Sequence, residues 1–309
     1  MKVLITGGAG FVGSHVVDAV VAAGHEPRIF DLIPSQYHHP GEFDTYIGDL
    51  TDPVAVADAA HGCDAIAHLA AVADVSEVAA DPAYAQRVNA GGTANVLEAA
   101  RSEGIGRVVY ASTIWVYDGC DCPVVDEDTT LQLPRHPYTA QKLAGEMYCT
   151  SYAEVFGVDY TIVRFGIPYG PRARAAAVIP SFFKNALAGR PLTIAGGGKQ
   201  SRRFTYVGDI ARGVTMALAP EARNRVYNLA SEETVSILQL ATSVSELVGD
   251  TDILHTEGRA GDFRGAEISS ARAAEELGWR ASTTLDEGLG LYYTWVTVAS
   301  EAADVDPVG

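Results

Sequence analysis

The sequence predicts an α/β fold: a doubly wound parallel sheet followed by a smaller C-terminal α/β lobe. Three observations carry the prediction. Short, continuously apolar runs alternate with helical stretches up to residue 165, the pattern of parallel strands covered on both faces. A glycine-rich turn joins the first run to the first helical stretch. Beyond residue 165 the alternation gives way to loop signals and helices.

Taken in order, Val3, Leu4, Ile5 and Thr6 form the first strand, and 11–23 repeat apolar residues with the helical period. Strands follow at 26–31, 45–47 and 65–69, the last preceded by a helix over 53–60 that opens on a proline. A helix over 83–102 leads to a strand over 107–111, closed by Ser112 and Thr113. A long helix over 138–156 and a strand over 159–165 complete this unit. Next, Ile167-Pro-Tyr-Gly-Pro-Arg172 and Gly196-Gly-Gly198 read as loops around a helix over 178–188. Helices are expected over 207–218, 236–248 and 285–295, and the acidic tail after Ala299 is expected to fray. The chain thus divides into 1–165 and 166–309, with segments near 205–230 returning to the first part.

With 48% hydrophobic and 20% charged residues, the 309-residue chain has the balance of a folded protein. Its net charge of −17, from Lys+Arg 22 against Asp+Glu 39, argues against a nucleic-acid groove and against a polybasic membrane surface. No run of 18 apolar residues occurs and Met1 is followed by no basic-then-apolar leader, so a cytoplasmic protein is expected. Cys63, Cys120, Cys122 and Cys149 have no zinc-ribbon spacing, and neither they nor His38-His39 predict a metal site. Asp126-Glu-Asp128 reads as a solvated loop. The lysines are few, Lys2, Lys142, Lys184 and Lys199, so any lysine needed for chemistry comes from a short list.

Gly7-Gly-Ala-Gly10-Phe11-Val12-Gly13 lies between the first strand and the first helix. Glycines let the backbone approach a pyrophosphate, and the helix behind them offers unpaired N–H groups and the positive end of its dipole. Asp31 ends the second strand, eighteen residues after Gly13, where a carboxylate accepts hydrogen bonds from both adenosine ribose hydroxyls and repels a 2′-phosphate. That favours NAD over NADP. Gly48-Asp49-Leu50 and His68-Leu69-Ala70-Ala71 follow the third and fourth strands at carboxyl ends, where open α/β sheets bind ligands. His68 itself reads as a buried, satisfied histidine.

Tyr138-Thr-Ala-Gln-Lys142 opens the long helix, and the i,i+4 spacing sets phenol and ammonium on one face. A free tyrosine has a pKa near ~10; a neighbouring cation stabilises the phenolate, so Tyr138 can take a hydroxyl proton. Thr113, 25 residues upstream, can hold the same substrate oxygen.

These pieces, with Asn89-x-x-Gly-Thr93-x-Asn95 and Tyr169-Gly-Pro171, resemble the extended short-chain dehydrogenase/reductase family over nearly the whole chain, up to about Trp295. Within it the chain resembles the NAD-dependent nucleotide-sugar epimerase/dehydratase group. The resemblance implies a Rossmann-type NAD-binding domain over 1–165 and a substrate lobe over 166–309. It implies that Tyr138 deprotonates a sugar hydroxyl, that Lys142 bridges the nicotinamide ribose and tunes Tyr138, and that Thr113 orients the substrate oxygen. Dehydratases of the group carry Asp-Glu after the threonine, and decarboxylases a glutamate at the second of these places. Here Ile114 and Trp115 stand there and cannot do acid–base work. A nucleotide-diphosphate sugar 4-epimerase acting through a transient 4-keto sugar is therefore expected; the alternative is an NAD-dependent sugar or uronate dehydrogenase or keto-sugar reductase. By resemblance Arg202 and Arg259 face the diphosphate, a task suited to forked guanidinium donors. Ile167 and Ala195 replace the usual asparagine and base-stacking aromatic. Homodimerisation through the helices over 83–102 and 138–156 is implied as well.

Overall fold

A computed structural model describes residues 1–257 and 267–304, with side chains as far as Val298. Seven strands form one sheet: β1 (Lys2–Thr6), β2 (Glu26–Asp31), β3 (Asp44–Ile47), β4 (Ala65–His68), β5 (Arg107–Thr113), β6 (Asp159–Phe165) and β7 (Arg225–Leu229). Their spatial order is β7-β6-β5-β4-β1-β2-β3, and every neighbouring pair is parallel. This is the Rossmann-type doubly wound arrangement, and the order reverses between β1 and β4.

Both faces of the sheet are covered, which is why its strands read as continuous apolar runs. On one face Val3 and Ile5 of β1 and Val109 of β5 pack against α1 (Phe11–Ala22) through Val16, Val17 and Val20. On the other, Leu4 and Val108 pack with α2 (Pro53–Ala60), α3 (Gly92–Ser102) and α4 (Pro137–Phe156), through Val56, Leu97 and Cys149 among others. A fifth helix, α5 (Val207–Met216), returns from the second lobe and joins the first face through Ile210 and Val214.

The second lobe has its own core of Phe182, Phe183, Leu192, Leu240 and Tyr292. Its helices run over Val178–Leu187, Ile237–Val248 and Leu285–Asp304, and short strands pair between them. Ser236 and Gln239 form a reciprocal capping box at the start of the second of these helices. No helix among the described residues is long and apolar enough to cross a membrane.

Three elements differ from the sequence reading. The single helix expected over 83–102 is instead Pro82–Gln86, a π-helical turn over Arg87–Gly91, and then α3. Asn89 sits in that wider turn, where its amide reaches the backbone of Val72 rather than solvent. β5 runs on through Ser112 and Thr113, which pair with Arg164 and Phe165. The last helix continues to Asp304, past the point where fraying was expected.

Candidate active site

The glycine turn after β1 is shaped by contacts that admit no side chain. Gly7 has φ +74°, and a Cβ there would lie 2.8 Å from the Ala70 nitrogen. At Gly13 a Cβ would fall 1.9 Å from the Gly7 carbonyl oxygen, so the first turn of α1 rests directly on the loop. Gly10 caps α1 without any side-chain hydrogen bond, leaving the helix N-terminus open to a ligand. Gly7, Gly10, Phe11, Val12 and Gly13 all line one cavity of about 720 Å³.

Asp31, at the carboxyl end of β2, lines the same cavity. Its carboxylate accepts the N–H of Ala9 at 2.9 Å and of Leu32 at 2.7 Å. Burial pushes its pKa above the usual carboxylate value, and these backbone donors offset only part of that rise. Asp49 and Leu50 line the neighbouring wall, and Leu69, Ala70 and Ala71 the floor after β4. The floor is fixed from below. Thr6 Oγ1 accepts the N–H groups of Leu69 and Ala70, and His68 bridges Thr6 at 2.7 Å and Thr93 at 3.0 Å. Burial holds His68 neutral, at about 3, so it is a satisfied core residue. Asn89 donates to the Val72 carbonyl and to Gln141, and accepts the Val72 N–H at 2.8 Å, setting the next stretch of loop.

At the far end of the cavity Thr113, Tyr138 and Lys142 converge. Proline at the first position of α4 and the His136 ring, which accepts the Tyr138 N–H at 3.1 Å, fix where the helix starts. Lys142 is 4% exposed and donates from Nζ to the Ala111 carbonyl at 2.9 Å. Burial draws its pKa down to about 8. Tyr138 does not show the lowered pKa expected from its neighbouring cation. Burial pushes it up to about 12, and the hydrogen bond with Thr113 opposes that shift. Burial of the phenol dominates, and the hydrogen bond from Lys142 Nζ goes to the Ala111 carbonyl. Without cofactor the phenol therefore keeps its proton.

Beyond Thr113 the two following side chains diverge. Ile114 is 7% exposed and packs into a small core with Val116, Tyr117 and Leu143, whereas Trp115 lines the cavity. Ile167 lines it too. Arg202 lies on a short lobe strand, Ser201–Arg202, donates to its neighbour's carbonyl at 2.9 Å, and is not among the cavity-lining residues. Arg259 lies outside the described residues.

Sequence reasoning missed two inward-facing charged residues, of which Arg174 lines the cavity and Glu127 does not. Arg174 lines the cavity and pairs with Asp74 at 3.0 Å across its mouth; it stands in the loop after Tyr169-Gly-Pro171, and the sign to follow was a second arginine two residues after Arg172. Glu127, read as solvated, has a side chain only 2% exposed and accepts the Asn228 N–H at 2.6 Å. Its neighbours Asp126 and Asp128 are exposed, so the local charge run concealed the inward residue.

Comparison with known proteins is consistent with this geometry. The chain matches the family model described as the NAD dependent epimerase/dehydratase family over residues 3–230. It is 32% identical over 307 residues to the UDP-glucose 4-epimerase of Mycolicibacterium smegmatis, covering 94% of this chain and 96% of that one. It superposes on the UDP-glucose 4-epimerase of Thermotoga maritima, solved with UDP-glucose, with a TM-score of 0.90 at 29% identity, covering 97% of this chain and 100% of that one. It also superposes on the dTDP-glucose 4,6-dehydratase DesIV of Streptomyces venezuelae, solved with NAD, with a TM-score of 0.89 at 26% identity and 98% of each chain covered. A glycine cradle without room for a Cβ, an open helix N-terminus and an acidic residue ending β2 suit a dinucleotide. The chain belongs to the NAD dependent epimerase/dehydratase family, and its cofactor is NAD.

Proposed function

We propose that this enzyme is a nucleotide-sugar 4-epimerase, with the second lobe holding the nucleotide-diphosphate part of its substrate. One observation carries the reading: Thr113, Tyr138 and Lys142 meet at one end of the cavity, while the residues that follow Thr113 are an isoleucine turned into the core and an indole. By resemblance, dehydratases and decarboxylases of the family carry an acid or base at that place, and neither side chain here can be one. Similarity to proteins named UDP-glucose 4-epimerase supports the same choice.

In this reading Gly7, Gly10 and Gly13 with the α1 N-terminus hold the NAD pyrophosphate, and Asp31 the adenosine ribose. NAD supplies a hydride acceptor that can return the hydride to either face of the sugar carbon. Tyr138 takes the proton of the sugar 4-hydroxyl and later gives it back, and Thr113 holds that oxygen through its hydroxyl. Lys142 keeps positive charge beside the phenol, which must fall far below its cofactor-free value to act as a base. The walls formed by Trp115 and Ile167 keep water away while the keto sugar turns over. Arg202 and Arg259 are proposed diphosphate partners. The exposed Met147, Tyr148 and Val155 on α4 form the face through which we propose a homodimer.

The test is conversion of UDP-glucose to UDP-galactose by the protein as purified, without added NAD, followed at the nicotinamide absorbance band. Product without net absorbance change is expected. Stoichiometric release of reduced cofactor would instead identify a dehydrogenase.

Two further outcomes follow from the site. Asp31→Asn should weaken NAD binding roughly 10- to 100-fold, the worth of a hydrogen bond to a charged group, and narrow the preference over NADP in calorimetric titrations. Lys142 carries its proton below about 8 and loses it above. Epimerisation should therefore decline as pH rises through about 8, read as the alkaline limb of the kcat profile.

A further inference from the structure

Behind Lys142 lies a chain of buried polar side chains that the proposed reaction does not use. Glu146 follows Lys142 by one turn of α4, so the two share a helix face. Its carboxylate is clamped from the sheet. Arg164 on β6 donates Nε to Oε1 at 3.0 Å and Nη2 to Oε2 at 2.7 Å, and Ser112 at the end of β5 donates its hydroxyl to Oε1 at 2.5 Å. The side chains of this ion pair are 5% and 9% exposed. Arg164 donates in turn to the Tyr117 hydroxyl at 2.7 Å, and Tyr117 to Asn228 on β7 at 2.9 Å.

A buried ion pair is weak ground for stability, because both charges give up their hydration to form it. The pair does set a carboxylate one helix turn from Lys142, the only lysine among the described residues that line the cavity. The other groups facing Lys142 offer none. Tyr110 on β5 presents its ring 5.2 Å from Nζ, the Ala111 carbonyl accepts one hydrogen bond, and His68 at the end of β4 is neutral. Tyr138, one turn earlier, keeps its proton. Among the described residues Glu146 is thus the one anion that opposes the loss of the Lys142 proton to burial.

We propose that Glu146 is a positioning residue of the reaction, clamped by Arg164 and Ser112 so that Lys142 keeps its ammonium beside Tyr138. The inference rests on reading Lys142 as the charged partner of Tyr138, and its test is chosen to stand apart from that reading. With Lys2, Lys142, Lys184 and Lys199 the only lysines, protein labelled with ¹³C at lysine Cε gives four signals to titrate by NMR, and Lys142→Arg assigns one of them. In Glu146→Gln the Lys142 midpoint should fall by about one pH unit or more, while the other three stay in place. Glu146→Gln leaves Arg164 unpaired and can unfold the chain, so Glu146→Gln with Arg164→Gln is titrated in parallel. That pair carries no uncompensated charge; because it also removes the Arg164 cation, which repels the ammonium, its shift should be downward but smaller than in Glu146→Gln. A Lys142 midpoint that stays at the wild-type value in the folded variants overturns the proposal. Epimerisation of UDP-glucose is measured on the same samples. An alkaline limb that moves down with the Lys142 midpoint supports the proposal. A midpoint that moves without the limb overturns the link from Glu146 to the reaction, whereas absence of epimerisation in the wild-type protein overturns the proposed function instead.

Discussion

Tyr138→Phe should lower kcat for UDP-glucose epimerisation by a factor on the order of 10³, within the range that a positioned acid–base group supplies. The substitution removes one oxygen and keeps the ring that stands in the cavity wall. In the cofactor-free protein the hydroxyl bonds Thr113, a single hydrogen bond to lose, so stability should be little changed and NAD should still be retained. Steady-state kinetics, thermal unfolding and the nucleotide content of the purified variant check these three points together. If the variant kept a tenth of wild-type turnover, Tyr138 would not be the group that moves the proton. Thr113→Ala provides a graded comparison. It leaves the phenol in place and removes its partner, so the loss should be smaller than in Tyr138→Phe.

Gly13→Ala should have the largest effect on the fold. A methyl at this position meets the Gly7 carbonyl oxygen at 1.9 Å, then the Gly7 carbonyl carbon at 2.6 Å and Gly8 Cα at 2.9 Å. All three are backbone atoms, so no flexible side chain can swing aside. Either α1 lifts from the loop or the loop leaves Ala70, against which Gly7 itself is packed. We expect about 3 kcal/mol or more of destabilisation, beyond the ordinary range for overpacking because backbone must move. Chemical denaturation should show the loss, together with absence of bound NAD. Gly24→Ala serves as the contrast: nothing lies near its absent Cβ, and only its φ of +77° opposes the change.

Much of this could be read from the residues because each element of the first lobe obeys one strong rule. The expected bounds of β6, and of α2 with its opening proline, match the structure to the residue. The residues expected to hold NAD line a single cavity, since a glycine turn and strand carboxyl ends converge on one edge of a parallel sheet. What escaped depends on contacts between distant segments. The π turn at Arg87–Gly91 arises from Asn89 reaching the loop at Val72, a pairing that helical periodicity does not encode. Glu127 and Glu146 look like surface acids by type, yet each is drawn inside by a partner about 100 and 18 residues away, Asn228 and Arg164. Arg174 faces the cavity because the loop folds across toward Asp74. Spacing also shows that a lysine is near Tyr138, but not that its Nζ donates to the Ala111 carbonyl.

The return of the chain to the sheet as β7 has a consequence for how the molecule can be divided. Arg225–Leu229 pairs along Thr161–Phe165 only after the chain has passed through part of the second lobe. Cutting after residue 165 would strip β6 of that partner and of the covering helix α5. It would leave Thr161, Ile162, Val163, Arg164 and Phe165 as an open edge whose N–H and C=O groups are free to recruit another chain. Such a fragment is expected to aggregate in light-scattering assays, whereas one extended through residue 230 restores the edge. Assembly of the sheet therefore waits on residues from the far side of the cleft, and the two lobes should melt in one cooperative transition rather than two.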